Sequence, residues 1–147
     1  MPLALLDTDT LSEIIKGRNT AVAARATQYL VQYGSFTFSL MTRFEILRGL
    51  KAKNATAQLA AFEARCQAST VLPITDPIVV QAADHYADLK RRGELISDAD
   101  LIIAATAIIH GLVLVTTNTA HYRRIAGLAL DAALNARGER QQGTEDG

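Results

Sequence analysis

The chain has 147 residues, 49% of them hydrophobic and 20% charged, which fits one domain around one core and excludes a disordered or fibrous protein. Fifteen basic residues balance fifteen acidic ones, so no global field draws the chain onto nucleic acid and any such contact must be local. Cys66 is the single cysteine, which excludes an internal disulfide or a cysteine-rich zinc site and points to a reducing, cytoplasmic setting.

In chain order, Leu3–Thr10 (LALLDTDT) is an apolar run ending abruptly in Asp7 and Asp9. It reads as a strand buried on both faces, as in parallel sheets covered by helices. It lacks the basic start of a signal peptide. Thr10 to about Lys16 predicts a helix, with Thr10 and Glu13 in capping-box spacing. Ala21–Tyr33 predicts a second helix, closed by Gly34 in a left-handed cap. Phe36–Ser39 predicts a second strand, and Met41–Ala52 a helix with Phe44, Ile46 and Leu47 toward the core and Glu45 near its start. Ala55–Ala68 predicts a helix and Thr70–Ile74 a third strand, where Pro73 argues against a central position. Ile78–Arg92 predicts a helix with Val79, Ala82, Ala83, Tyr86 and Leu89 as its apolar positions.

Asp98–His110 is apolar on nearly every side after its first turn, which predicts a buried helix closed by Gly111. Leu112–Val115 is the clearest strand and runs into Thr116, Thr117 and Asn118. A short helix near His121–Ile125 and a strand near Leu128–Leu130 complete the core, giving one domain over residues 1–134. The polar tail, 135–147, is expected to be disordered. No segment has the roughly 20 apolar residues a bilayer demands. Strands alternating with helices imply an α/β sandwich with a mostly parallel sheet.

Asp7, Glu45, Asp98 and Asp100 come from three separate segments, each acid near a strand end or a helix start. In open parallel sheets, ligands bind beyond the carboxyl ends of the strands. Magnesium and manganese take hard oxygen ligands and need few carboxylates, because water and phosphate complete the octahedron. Capping explains each acid singly, since Ser97 with Asp100 and Thr42 with Glu45 also match the capping-box spacing. Convergence of three acids on one sheet edge favours the metal. Asp98 and Asp100 stand about 200° apart on a helix, so Asp100 is the ligand and Asp98 a neighbour or cap. His85, His110 and His121 lack metal-ligand spacing. The DTDT run also matches the DxDxT signature of aspartyl-nucleophile phosphatases, without their later motifs.

LLDTDTLSEII, FSLMTRFEILRGL and ISDADLIIAATAIIHGLVLVTTNTAHYRRIAGL together resemble the PIN-domain toxins of the VapC type, over about Met1 to Leu130. The resemblance implies a three-layer α/β/α sandwich and a magnesium-dependent endoribonuclease, with manganese able to substitute, held inactive by a cognate VapB-like antitoxin seated in an apolar groove. It carries magnesium binding to Asp7, Glu45 and Asp100. It further implies homodimers and an RNA substrate, with transfer RNA one option. Two departures stand out: Asp9 replaces an asparagine, and Asn118 stands where many PIN domains have a fourth acid. Asp9, Asp98, Asn118 and Thr116 are then auxiliary site residues, and Arg43, Arg48, Arg123 and Arg124 are candidates to hold RNA phosphates. Two alternatives stay open: a phosphatase using Asp7 as nucleophile, and an RNA-binding or partner-binding module with a degenerate site.

Overall fold

The computed structural model describes residues 1–133; the domain end expected at 134 and the tail over 135–147 lie outside them. The elements run β1 (Ala4–Leu6), α1 (Thr8–Lys16), α2 (Thr20–Tyr33), β2 (Thr37–Ser39), α3 (Leu40–Ala52), α4 (Thr56–Gln67), β3 (Thr70–Leu72), α5 (Asp76–Arg92), α6 (Asp98–His110), β4 (Val113–Thr116), α7 (Thr119–Tyr122) and β5 (Leu130–Ala132). Five strands form one sheet in the order β3-β2-β1-β4-β5, with every pairing parallel. β1 lies at its centre, with Leu5 opposite Leu114 and Leu6 opposite Phe38.

Alternation along β1 separates two cores. Leu5 packs with Ile78, Leu89, Ile103 and Leu114 under α5 and α6, while Ala4 and Leu6 pack with Leu11, Tyr29, Phe38 and Phe62 on the opposite face. Successive side chains on a strand point to opposite faces, so a central strand with helices on both sides must be apolar throughout. The result is the expected three-layer α/β/α sandwich. β3, with Pro73 just beyond it, takes an edge, where a missing backbone donor costs no ladder bond. At the other edge, β5 is pinned to α2 by Arg25, which bonds the Asp131 carboxylate and the Ala132 carbonyl. β5 begins two residues later than the sequence predicts, and α7 two residues earlier.

Four local expectations are corrected. α1 starts at Thr8 and is capped by Asp7, not Thr10. α3 starts at Leu40 under a Ser39 cap, which places Glu45 in the second turn and turns Thr42 into a buried residue inside the helix. On α5 the buried stripe is Ile78, Ala82, His85 and Leu89, whereas Val79, Ala83 and Tyr86 face solvent. Two apolar stripes lie side by side on that helix, and the polar His85 disguised the inner one. Phe44, expected in the core, is 54% exposed and lies 5.2 Å beneath the Arg48 guanidinium; Ile46 and Leu47 pack inward as expected. Gly34 and Gly111 do end α2 and α6 at φ of +82° and +65°, a conformation that an L side chain rarely adopts.

Candidate active site

Asp7 ends β1 and caps α1 at once. Its backbone is extended, and Oδ1 accepts from the Thr10 amide at 2.9 Å, which satisfies one of the orphan donors of the first turn. Oδ2 accepts from the Thr116 hydroxyl at 2.5 Å, and that hydroxyl in turn accepts from the Asn118 amide at 2.9 Å. Parallel pairing of β1 with β4 brings Thr116 there from 109 residues away. Asp7 is only 3% exposed. Burial pushes its carboxyl above the ordinary carboxylate range, against the bonds from Thr10 and Thr116, and neighbouring Asp9 adds to the rise. Its hydrogen bonds come from neutral donors, so this buried acid is held without a full counter-charge from them.

Glu45 leans toward the same edge from α3. Its Oε1 accepts from the Thr8 hydroxyl at 2.7 Å, and Thr8 Oγ1 lies 3.1 Å from Thr42 Oγ1. Arg48, 62% exposed, stands 3.6 Å from Oε2. Asp100 sits in the first turn of α6, where Ser97 caps the helix by accepting from the Asp100 amide at 3.2 Å, as the spacing predicted. Its Oδ1 accepts from the Tyr122 hydroxyl at 3.0 Å, and its Oδ2 lies 2.8 Å from His121 Nε2. Tyr122 itself is buried. Burial first, and then the charges of Asp7, Asp100 and Glu45, push its phenol far above the usual tyrosine range, so it stays a protonated donor.

The other candidates are placed as follows. Asp9, Asp98 and Asn118 are exposed beside this edge, while Thr116 is buried against Asp7. Arg43 turns away to Glu63, 3.0 Å off. Arg48 and Arg123 are exposed, and Arg124 Nη1 lies 3.4 Å from the Glu94 and Leu95 carbonyls. Thr8, Thr42 and Tyr122 were not legible as site residues, and His121 was read only as lacking metal-ligand spacing. The only signal for Thr8 was its position between two acids, and Tyr122 carried no signal beyond its place in the short helix after the last clear strand.

The chemistry of the donor set fits a hard divalent cation, because Asp7, Glu45 and Asp100 offer only carboxylate oxygens. Among the described residues no three Asp, Glu, His or Cys side chains stand close enough to form a ready cage.

Comparison with known proteins shows the family. A family model described as PIN domain matches residues 4–128. Ribonuclease VapC1 of Methanocaldococcus jannaschii is 32% identical over 126 residues, covering 86% of this chain and 83% of that protein. The tRNA(fMet)-specific endonuclease VapC of Shigella flexneri is 28% identical, covering 84% and 92%. In structure, the DNA-bound VapBC of Salmonella typhimurium superposes with a TM-score of 0.79 at 26% identity, covering 90% of this chain and 98% of that one.

Proposed function

This chain belongs to the PIN-domain family, alongside VapC ribonucleases, and from that premise we propose that it is a magnesium-dependent endoribonuclease served by Asp7, Glu45 and Asp100. It is a hydrolase acting on RNA, the toxin of a toxin–antitoxin pair. The observation that carries the reading is the buried Asp7 carboxylate at the end of β1, whose hydrogen bonds come only from the neutral Thr10 and Thr116, on a chain matched by the PIN family. A buried carboxylate without a counter-charge is costly unless a cation joins it.

Asp7 and Asp100 are the principal holders of the metal, with manganese able to substitute. A divalent cation bound there supplies Lewis acidity toward the scissile phosphate and activates water. Glu45 orients the attacking water and takes its proton, and Thr8 fixes the carboxylate for that task. Asp9 and Asp98 add negative charge at the rim, and Thr116 with Asn118 holds Asp7 in place. Arg48 and Arg123 meet RNA phosphates from exposed positions, with Arg124 beside them. Arg43, tied to Glu63, serves the fold first. Transfer RNA is the substrate class favoured by the likeness to the Shigella enzyme.

A VapB-like antitoxin is the second partner. An apolar cavity between α1, α2 and the sheet, lined by Ile14, Val22, Ala26 and Phe36, is where its apolar side chains anchor. A second copy of the chain is the third. The exposed stripe of α5 is self-complementary about Ala83: an antiparallel partner helix sets Val79 against Ala87, Val80 against Tyr86 and Asp76 against Lys90. These offsets of three, four and seven residues keep all the pairs on one helix face.

The test is cleavage of total cellular RNA by the purified, antitoxin-free chain with magnesium, with EDTA and with Asp100→Asn. Metal-dependent cutting that falls about a hundredfold or more in the variant is expected. Intact RNA throughout, with well-folded protein in magnesium or manganese, overturns the catalytic reading.

A further inference from the structure

Asp100 is held twice by adjacent residues of α7, and the two holders differ in kind. Tyr122 is 2% exposed and packs into the core beneath α5 and α6, so its hydroxyl, 3.0 Å from Oδ1, has a fixed place. His121 sits at the surface with 26% of its side chain exposed, its ring edge-on to Tyr122 at 5.7 Å, and caps Oδ2 at 2.8 Å. An aspartate carboxyl rotates readily, because its terminal torsion is broad and two-fold. One immovable donor on Oδ1 removes that freedom.

We propose that Tyr122 is a positioning residue of the metal site: its phenol pins Oδ1 of Asp100, leaving Oδ2 as the oxygen a cation would take, and His121 is a displaceable cap on that oxygen. The proposal rests on the reading of Asp100 as a metal ligand. An outer-shell donor that orients a ligating group changes metal affinity by ten- to a hundredfold, whereas a half-buried imidazole–carboxylate pair open to solvent on one side is worth less. Removing the two side chains therefore shifts affinity in opposite directions. Tyr122→Phe frees the carboxylate to rotate and weakens binding; His121→Ala removes a competitor for Oδ2 and tightens it. A purely structural role for either residue moves thermal stability and leaves metal affinity where it was.

The experiment is titration of the full, partner-free chain with Mn2+ alone, read by electron paramagnetic resonance, for the wild type, Tyr122→Phe, His121→Ala and Asp100→Asn. Expected are about tenfold weaker binding for Tyr122→Phe, about two- to fivefold tighter binding for His121→Ala, and weakening for Asp100→Asn. Unchanged affinity in Tyr122→Phe beside a weakened Asp100→Asn overturns the positioning role and leaves the metal site standing. Unchanged affinity in Asp100→Asn removes the reading beneath it. Weaker binding in His121→Ala makes His121 a ligand and overturns its role as a cap. A chain labelled with 3-fluorotyrosine frees the test from the folding of Tyr122→Phe: Mn2+ is expected to broaden the Tyr122 fluorine resonance before those of the other three tyrosines, and sparing of Tyr122 overturns the proposal.

Discussion

Replacing Asp7 separates its two burdens, because asparagine keeps the shape and the capping oxygen while discarding the charge. Asn caps helices as well as Asp, so Asp7→Asn retains the bond from the Thr10 amide and offers its amide group to Thr116. Asp7→Ala loses the cap, worth about 1 kcal/mol, and also loses the side-chain hydrogen bond to Thr116 that asparagine keeps with its direction reversed, worth about 1 kcal/mol. Burial raises the Asp7 pKa in the folded chain. A carboxyl with a raised folded pKa binds more protons folded than unfolded, so its cost to stability grows as pH rises from the unfolded pKa through the folded one. At pH 7.5 in EDTA, Asp7→Asn is therefore expected to melt above the wild type. Asp7→Ala is expected to melt below Asp7→Asn by about 2 kcal/mol, or about 4–8 °C for a chain of this size. The advantage of asparagine disappears in acid, and magnesium raises the melting point of the wild type alone. Differential scanning calorimetry reads all three. An Asp7→Asn protein that melts as low as Asp7→Ala at pH 7.5 refutes the view that the buried charge costs stability.

His85 is 8% exposed on the inner stripe of α5, and burial lowers its pKa against the pull of Asp84 and Asp88. Its contribution is complete above an unfolded pKa near 6.5 and is lost as pH falls below it, so urea midpoints should drop between pH 7 and pH 5, less so in His85→Leu; equal drops remove His85 as the cause. Thr8→Val deletes the donor to Glu45 and should lower kcat about tenfold, with Thr8→Ser restoring most of it; unaltered kcat means Glu45 needs no support from Thr8. Ala83→Glu sets like charges face to face on the two-fold axis of the α5 pairing and should yield monomers by light scattering; an unchanged dimer places the interface elsewhere.

Much of the chain is specified by residues close together in sequence. The apolar runs at 3–6 and 112–115 become the paired central strands, and glycines at 34, 93 and 111 stop helices where the next residue must turn. The sequence proposes Asp7, Glu45 and Asp100 as a set because a parallel sheet delivers strand ends and the first turns of the following helices to one edge. Their partners were not legible, since Thr116 reaches Asp7 across 109 residues and Tyr122 reaches Asp100 across 22. A hydroxyl's role depends on what the fold sets in front of it. The same holds for α5, whose two apolar stripes serve equally well in isolation until α6 and the sheet select Ile78, Ala82, His85 and Leu89 for burial and leave Val79, Ala83 and Tyr86 outside. Local propensity and period set which segments become strands and helices, whereas packing between distant elements determines which face turns inward and which donor meets which acid.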